Sequence, residues 1–167
     1  GETYNVPVEM AETRYGIRVD EHSLHTDGAG AGEYRGGSGA VRVYRSMNEN
    51  QTFTASFGRN KWPVWGAAGG KDGSVNYFQF IDADGTVSEP MGIAARRVMN
   101  TNDVVRMVTA TGGGYGNPFK RPAEKVAMDV KNEYITVEQA KADYGVLVDP
   151  ETFKVLGLTE ERQKAEK

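Results

Sequence analysis

His22 and His25 are the only two histidines, and Asp20, Glu21 and Asp27 lie beside them. Such a set carries donors for a transition metal. On an extended strand, however, residues i and i+3 leave on opposite faces. A bend would have to bring both imidazoles to one ion; surface or packing roles are the alternative. Clustered glycines suggest a second chemistry, the cradling of phosphate. That needs a strand, a Gly-rich loop and a helix whose N-terminus faces the anion. The clusters at 28–39 and 58–73 lead into strand patterns instead, and Asn117-Pro118 and the basic pair Lys120-Arg121 follow the third, at 112–118. The spacing Gly-x-x-x-x-Gly-Lys-Thr is absent, which points away from a nucleotide site in this chain. Trp62-Pro63-Val64-Trp65 sets two indoles around a proline. Exposed, they would stack on a sugar ring or anchor an interface; buried, they would be core. No Ser stands in Gly-x-Ser-x-Gly, and no pair of carboxylates is singled out by spacing.

Composition narrows the function classes further. Lys and Arg total 20 against 23 Asp and Glu, a formal charge of -3 over 167 residues. A nucleic-acid binder would carry a basic excess. The absence of Cys excludes disulfides, thiolate metal sites and Cys nucleophiles. No apolar run approaches the roughly 18 residues that span a bilayer as a helix. Glycine is the outlier, at 21 residues, nearly twice the usual share of about 7%. Dense glycine lets backbones approach closely or run as polyproline-II-like segments. Such segments have no internal hydrogen bonds, so their amides need outside partners. Three of them in one chain predict that other chains or domains supply those partners. The start at Gly1 fits either a trimmed initiator Met or an internal boundary.

The elements that must position these residues are mostly strands. Residues 17–26 alternate loosely between apolar and polar. Residues 40–47 place Val41 and Val43 on one face and Arg42 and Tyr44 on the other, a half-buried strand. With a turn at 48–50 and a strand at 51–57, the stretch 40–57 predicts a hairpin. Further strands are expected at 75–82, ending in the turn Ala83-Asp84-Gly85, and at 103–109. Nothing marks a cap or turn at 4–10. Helix enters only after 118. Pro122 suits a first helical position, and Val126 and Val130 stand one turn apart. Thr136 with Gln139 forms a capping box, and Gly145 fits a left-handed C-terminal cap. The polar end, 159–167, is expected to fray. The expected division is a β-rich, Gly-rich domain at 1–118 with a helical extension at 119–167 packed on it as one structural unit.

Five ordered blocks carry a family resemblance. They are Gly32 to Gly39, reading Gly-Glu-Tyr-Arg-Gly-Gly-Ser-Gly before the strand AVRVYR; Pro63-Val64-Trp65-Gly66-Ala67-Ala68-Gly69-Gly70; Asp103-Val104-Val105 leading to Gly112-Gly113-Gly114-Tyr115-Gly116-Asn117-Pro118; Val126 to Val130; and Ala140 to Val146. In these the chain resembles the C-terminal region of the hydantoinase B/oxoprolinase family, whose relatives include acetone and acetophenone carboxylases. Two departures stand out. Thr109-Ala110-Thr111 replaces the family's usual Thr-Pro-Gly, and Asn132 to Thr136 replaces a common Gly-Tyr-Val-Ser. The family's B component is also several times longer than this chain.

The resemblance implies barrel-like antiparallel sheets with Gly-rich polyproline-II-like segments, and with the strands and two short C-terminal helices read from the residues the expected fold is mainly β (α+β). The resemblance also implies a small subunit or C-terminal fragment of a cytoplasmic, multi-subunit, ATP-dependent amidohydrolase or ketone carboxylase, inactive in isolation. In that family a kinase-like A-type component phosphorylates an amide or carbonyl oxygen, and the intermediate must be shielded from water. The implied partners are a hydantoinase A-like kinase-type subunit and the remainder of the B component, with no nucleic acid or membrane. No cofactor or metal is expected in this chain; ATP and a divalent metal belong to the partners. Catalytic residues do not map here. Arg35, Arg59, Trp65 and Tyr115, all on Gly-rich stretches, are the candidates for interface or channel contacts. A β-rich carbohydrate-binding module using Trp62 and Trp65 is the alternative.

Overall fold

The computed structural model describes residues 6–165, so residues 1–5, with the start at Gly1, and residues 166–167 lie outside it. The fold is mixed α+β with antiparallel sheets. Its elements run α1 (Val8–Tyr15), β1 (Ile17–His25), β2 (Gly39–Ser46), β3 (Gln51–Ser56), β4 (Tyr77–Ile81), β5 (Ile93–Met99), β6 (Val104–Val108), a 3₁₀ turn (Pro118–Lys120), α2 (Ala123–Lys131), α3 (Val137–Tyr144), β7 (Val146–Val148), β8 (Val155–Leu158) and α4 (Glu160–Ala165). Contacts group them into two compact units that interleave along the chain. One takes the described part of Gly1–Leu24 with Ala40–Asn60 and Asn76–Thr109. The other takes His25–Gly39, Lys61–Val75 and the described part of Ala110–Lys167.

The first unit holds an open four-stranded sheet in the order β1-β2-β6-β4 and a two-stranded sheet, β3-β5. Neither closes into the barrel-like arrangement that was expected. Strand β6 pairs antiparallel with both neighbours, so Tyr44, Val105 and Phe80 line up across one face, as do Arg42, Met107 and Phe78. Phe53 from the second sheet meets Phe78 and Phe80 edge-on, with ring centroids 5.6 and 5.4 Å apart. Edge-to-face contact sets positive ring edges against negative faces, which favours it over flat stacking. Phe78 and Phe80, alternating on β4, are both buried in this core.

The hairpin expected over 40–57 does not form. β2 pairs with β6, and β3 pairs with β5 in the other sheet. The connection carries the chain from one sheet to the other. Asn50 adopts a left-handed φ of 55°, and the Ser46 hydroxyl donates to Gln51 Oε1 at 2.6 Å. The Gln51 amide then donates to the Tyr15 carbonyl at 2.8 Å. Helix α1, for which the sequence shows no start signal, ends on Gly16 in the left-handed conformation. Only Ala11 of this helix is buried, so its apolar residues never form the stripe that periodicity detects.

The second unit packs α2, α3, β7 and β8 around Val126, Val130, Ala140, Tyr144 and Val146. The capping box of Thr136 and Gln139 is present, and Gly145 takes the left-handed cap at φ 63°. Pro122 falls one residue before the first helical position, as the N-cap of α2. The expected fraying from residue 159 is not found over 160–165. α4 forms there because Arg162, only 4% exposed, donates to the carbonyls of Tyr144 and Arg121 at 3.0 and 2.9 Å. Helices are thus more numerous than the two expected.

Candidate functional site

Within the second unit, the Gly-rich segments at 28–39, 61–73 and 112–118 lie together and hydrogen-bond to one another. Gly30 N–H donates to the Gly112 carbonyl at 2.9 Å, and Gly112 N–H to the Gly37 carbonyl at 2.8 Å. Lys71 N–H donates to the Ala31 carbonyl at 2.7 Å, Gly114 N–H to the Lys71 carbonyl at 2.9 Å, and Ala67 N–H to the Gly114 carbonyl at 2.9 Å. Tyr34 and Tyr115 exchange backbone bonds at 3.0 and 2.9 Å. Companion chains are therefore not needed to pair these amides, contrary to the expectation from sequence. At Gly114 the glycine is required by close approach. A Cβ there would lie closer than 3.0 Å to the Ala31 carbonyl.

A clasp closes this lattice. Thr111, fully buried, donates its hydroxyl to the Gly28 carbonyl at 2.8 Å. Its Oγ1 accepts from the Ser74 hydroxyl at 3.0 Å and the Ser74 N–H at 2.9 Å, and its own N–H donates to Ser74 Oγ at 2.9 Å. This gives the Thr-Ala-Thr departure from the family pattern a physical reason, since a glycine at 111 would have no hydroxyl to donate.

Arg35 and Arg121 converge on Asp129. Arg121 donates to the carboxylate at 2.8 and 3.0 Å, and Arg35 Nε stands 3.6 Å from it. Arg35 also donates to the Gly36 carbonyl at 3.0 Å and lies 4.8 Å over the Tyr134 ring. Arg121 reaches the Glu33 carbonyl at 3.0 Å. The pair thus ties the first Gly-rich stretch to α2. Beneath it, burial pushes the Tyr144 phenol up, opposed by the charge of Arg121. The Tyr144 hydroxyl has no hydrogen-bond partner among the described residues.

The four sequence candidates separate. Arg35 is a largely buried, ion-paired side chain. Arg59 belongs to the first unit, with a left-handed φ of 52° and its carbonyl accepting from Asn76 N–H at 3.1 Å. Trp65 and Tyr115 are 70% and 57% exposed on the glycine lattice. The sequence reading missed Tyr34, 63% exposed, whose ring lies 6.2 Å from that of Tyr115. Its signal was its place inside the Gly32-Glu33-Tyr34-Arg35 block. Trp62 is also exposed, at 79%. His22 is exposed on β1, and among the described residues no group of three or more His, Asp and Glu is placed to hold a metal. Among them, too, no helix is long and apolar enough to cross a membrane.

The family profile described as Hydantoinase B/oxoprolinase matches residues 1–118. The chain belongs to this family. The caprolactamase subunit beta of Pseudomonas jessenii is 30% identical over 158 residues, covering 85% of this chain and 25% of the subunit. The crystal structure of that ATP-dependent caprolactamase superposes with a TM-score of 0.73 at 29% identity, over 95% of this chain and 27% of the other. An uncharacterised protein of Methanocaldococcus jannaschii is 34% identical over 144 residues, 86% of this chain and 25% of that protein. The nucleotide-free structure of an acetone carboxylase shares the fold, with a TM-score of 0.73 at 17% identity, over 96% of this chain and 25% of its own. The chain spans about a quarter of the length of these relatives.

Proposed function

We propose that this chain is a small subunit, or the C-terminal part, of the B component of an ATP-dependent hydantoinase/oxoprolinase-type amidohydrolase or ketone carboxylase. Its role there is structural and shields a reactive intermediate from water. One observation carries this reading. A glycine lattice whose segments are already tied to one another by backbone hydrogen bonds presents large aromatic side chains outward, Tyr34, Trp65 and Tyr115, at 57–70% exposure. Aromatic residues are enriched where one protein surface buries another. The partners we assign are a hydantoinase A-like kinase-type subunit and the remainder of the B component, in the cytoplasm. ATP and a divalent metal are assigned to those partners, and the isolated chain is expected to be inactive. The relatives give the sugar-binding reading no support.

Purification from the native host tests this. The expected result is a large complex that hydrolyses a cyclic amide or carboxylates a ketone only with ATP. A monomer without large partners would overturn it.

A further inference from the structure

The first unit contains a groove of about 730 Å³. Its walls are Val8 and Ala11 of α1, Ile17 and Val19 of β1, and Phe53 and Val105 from the aromatic core. Its lining also carries polar Ser46, Gln51 and Thr52 and two cations from the sheet, Arg45 and Arg42. Arg42 is half-buried, and its guanidinium donates to the Tyr44 hydroxyl at 2.9 Å. Among the described residues no carboxylate pairs with it, whereas its neighbour Arg45 is matched by Asp20 at 2.6 Å. A half-buried guanidinium among apolar side chains is costly to leave without a counter-charge.

The surroundings are unfinished in the same region. Val6, Met10, Tyr15 and Leu24, on or beside α1 and β1, are 44–62% exposed. β1 is the outermost strand of its sheet, and its residues 20–24 are all exposed. An outer strand open on both faces, beside exposed apolar residues, is a surface that natural proteins normally cover. About three quarters of a B-type polypeptide, judged by the caprolactamase subunit beta, lies beyond this chain.

We infer that this groove seats a segment of the remainder of the B component, apolar along its length and carrying one Asp or Glu that pairs with Arg42. The inference rests on the reading of the chain as part of a B-type subunit. It goes further in naming the seat, the counter-charge and the residue that selects it. Tyr44 is placed to assist, since its hydroxyl hydrogen is free to donate to the same carboxylate.

The test uses the chain produced together with the rest of its B component. Hydrogen exchange is compared with the chain alone, and affinities are measured for Arg42→Gln and Arg42→Lys. Slower exchange is expected in 8–19 and 42–53 on assembly. Arg42→Gln should raise Kd about tenfold or more, and Arg42→Lys less. Both variants should melt like the parent in isolation; if Arg42→Gln does not fold, the exchange result with the parent chain decides. A complex formed with unchanged exchange in these segments would overturn the inference and leave the B-subunit reading standing. Failure of the two parts to associate at all would remove both. Protection of the same segments in the chain alone, by decanoate or by self-association in sedimentation, would overturn it in favour of a small ligand or a second copy.

Discussion

Arg121 Nε donates to Asp129 Oδ2 at 3.0 Å, and the two side chains are only 13% and 9% exposed. The carboxylate is the counter-charge for Arg35 as well. Removing it would leave two largely buried guanidiniums without their anion. Asp129→Ala is therefore expected to destabilise the second unit by about 3–5 kcal/mol, the range for breaking a buried pair by deleting one partner. Urea unfolding followed by the near-ultraviolet signal of Tyr134 and Tyr144 would measure it. A loss below 1 kcal/mol would show that carbonyls alone hold the arginines.

The glycines divide into those that packing requires and those it does not. A Cβ at Gly114 would collide with the Ala31 carbonyl, while one at Gly37 would meet nothing within 4 Å. Gly114→Ala should cost about 3 kcal/mol or more, because backbone cannot step aside as a side chain can. Gly37→Ala should be nearly neutral. Thermal melts of the two variants would separate close approach from a general dependence on glycine content.

Trp65 and Tyr115 lie on the surface of the chain, and truncating them should leave its own melting unchanged. In the assembly proposed above they become anchors. The double variant Trp65→Ala/Tyr115→Ala should weaken association with the partners by about 2 kcal/mol or more. Co-purification yield and sedimentation of the complex would report it, and an undiminished complex would move the interface elsewhere.

Asp149 accepts hydrogen bonds from the backbone N–H groups of Thr152 and Glu151 and from the Thr152 hydroxyl. These bonds hold its carboxyl below the ordinary 3.8, with the Thr152 backbone bond the largest cause. A depressed folded value means that the contribution is complete above the ordinary carboxylate range and is lost as pH falls through the folded value. Stability should therefore decline as pH falls below the ordinary carboxylate value of 3.8. Asp149→Asn should flatten that part of the profile, as read from Tm against pH.

How much of this was legible in advance differs from element to element. The capping box at Thr136 and the left-handed Gly145 are local devices, and they form where the spacing puts them. Phe78 and Phe80 alternate on a strand and are both core. By contrast, the face of β2 that carries Arg42 and Tyr44 joins the aromatic cluster, while Val41 on the opposite face is also buried. Alternation signals a strand covered on one side, and it misleads when both sides are covered. Likewise α4 follows from Arg162 reaching carbonyls 18 and 41 residues earlier in the chain, which no local pattern announces.

Residue order alone was enough for the strands with clean alternation, the capped helix α3, the density of glycine and, through the five ordered blocks, the family. It took the folded chain to show that the glycine stretches pair with each other, that Arg35 is held by Asp129 and not left on the surface, and that Tyr34 joins Tyr115 outside. The physical reason is range. Caps and alternation are set by neighbours a few residues away, whereas the partner of an amide or a guanidinium is chosen by whichever distant segment folds against it.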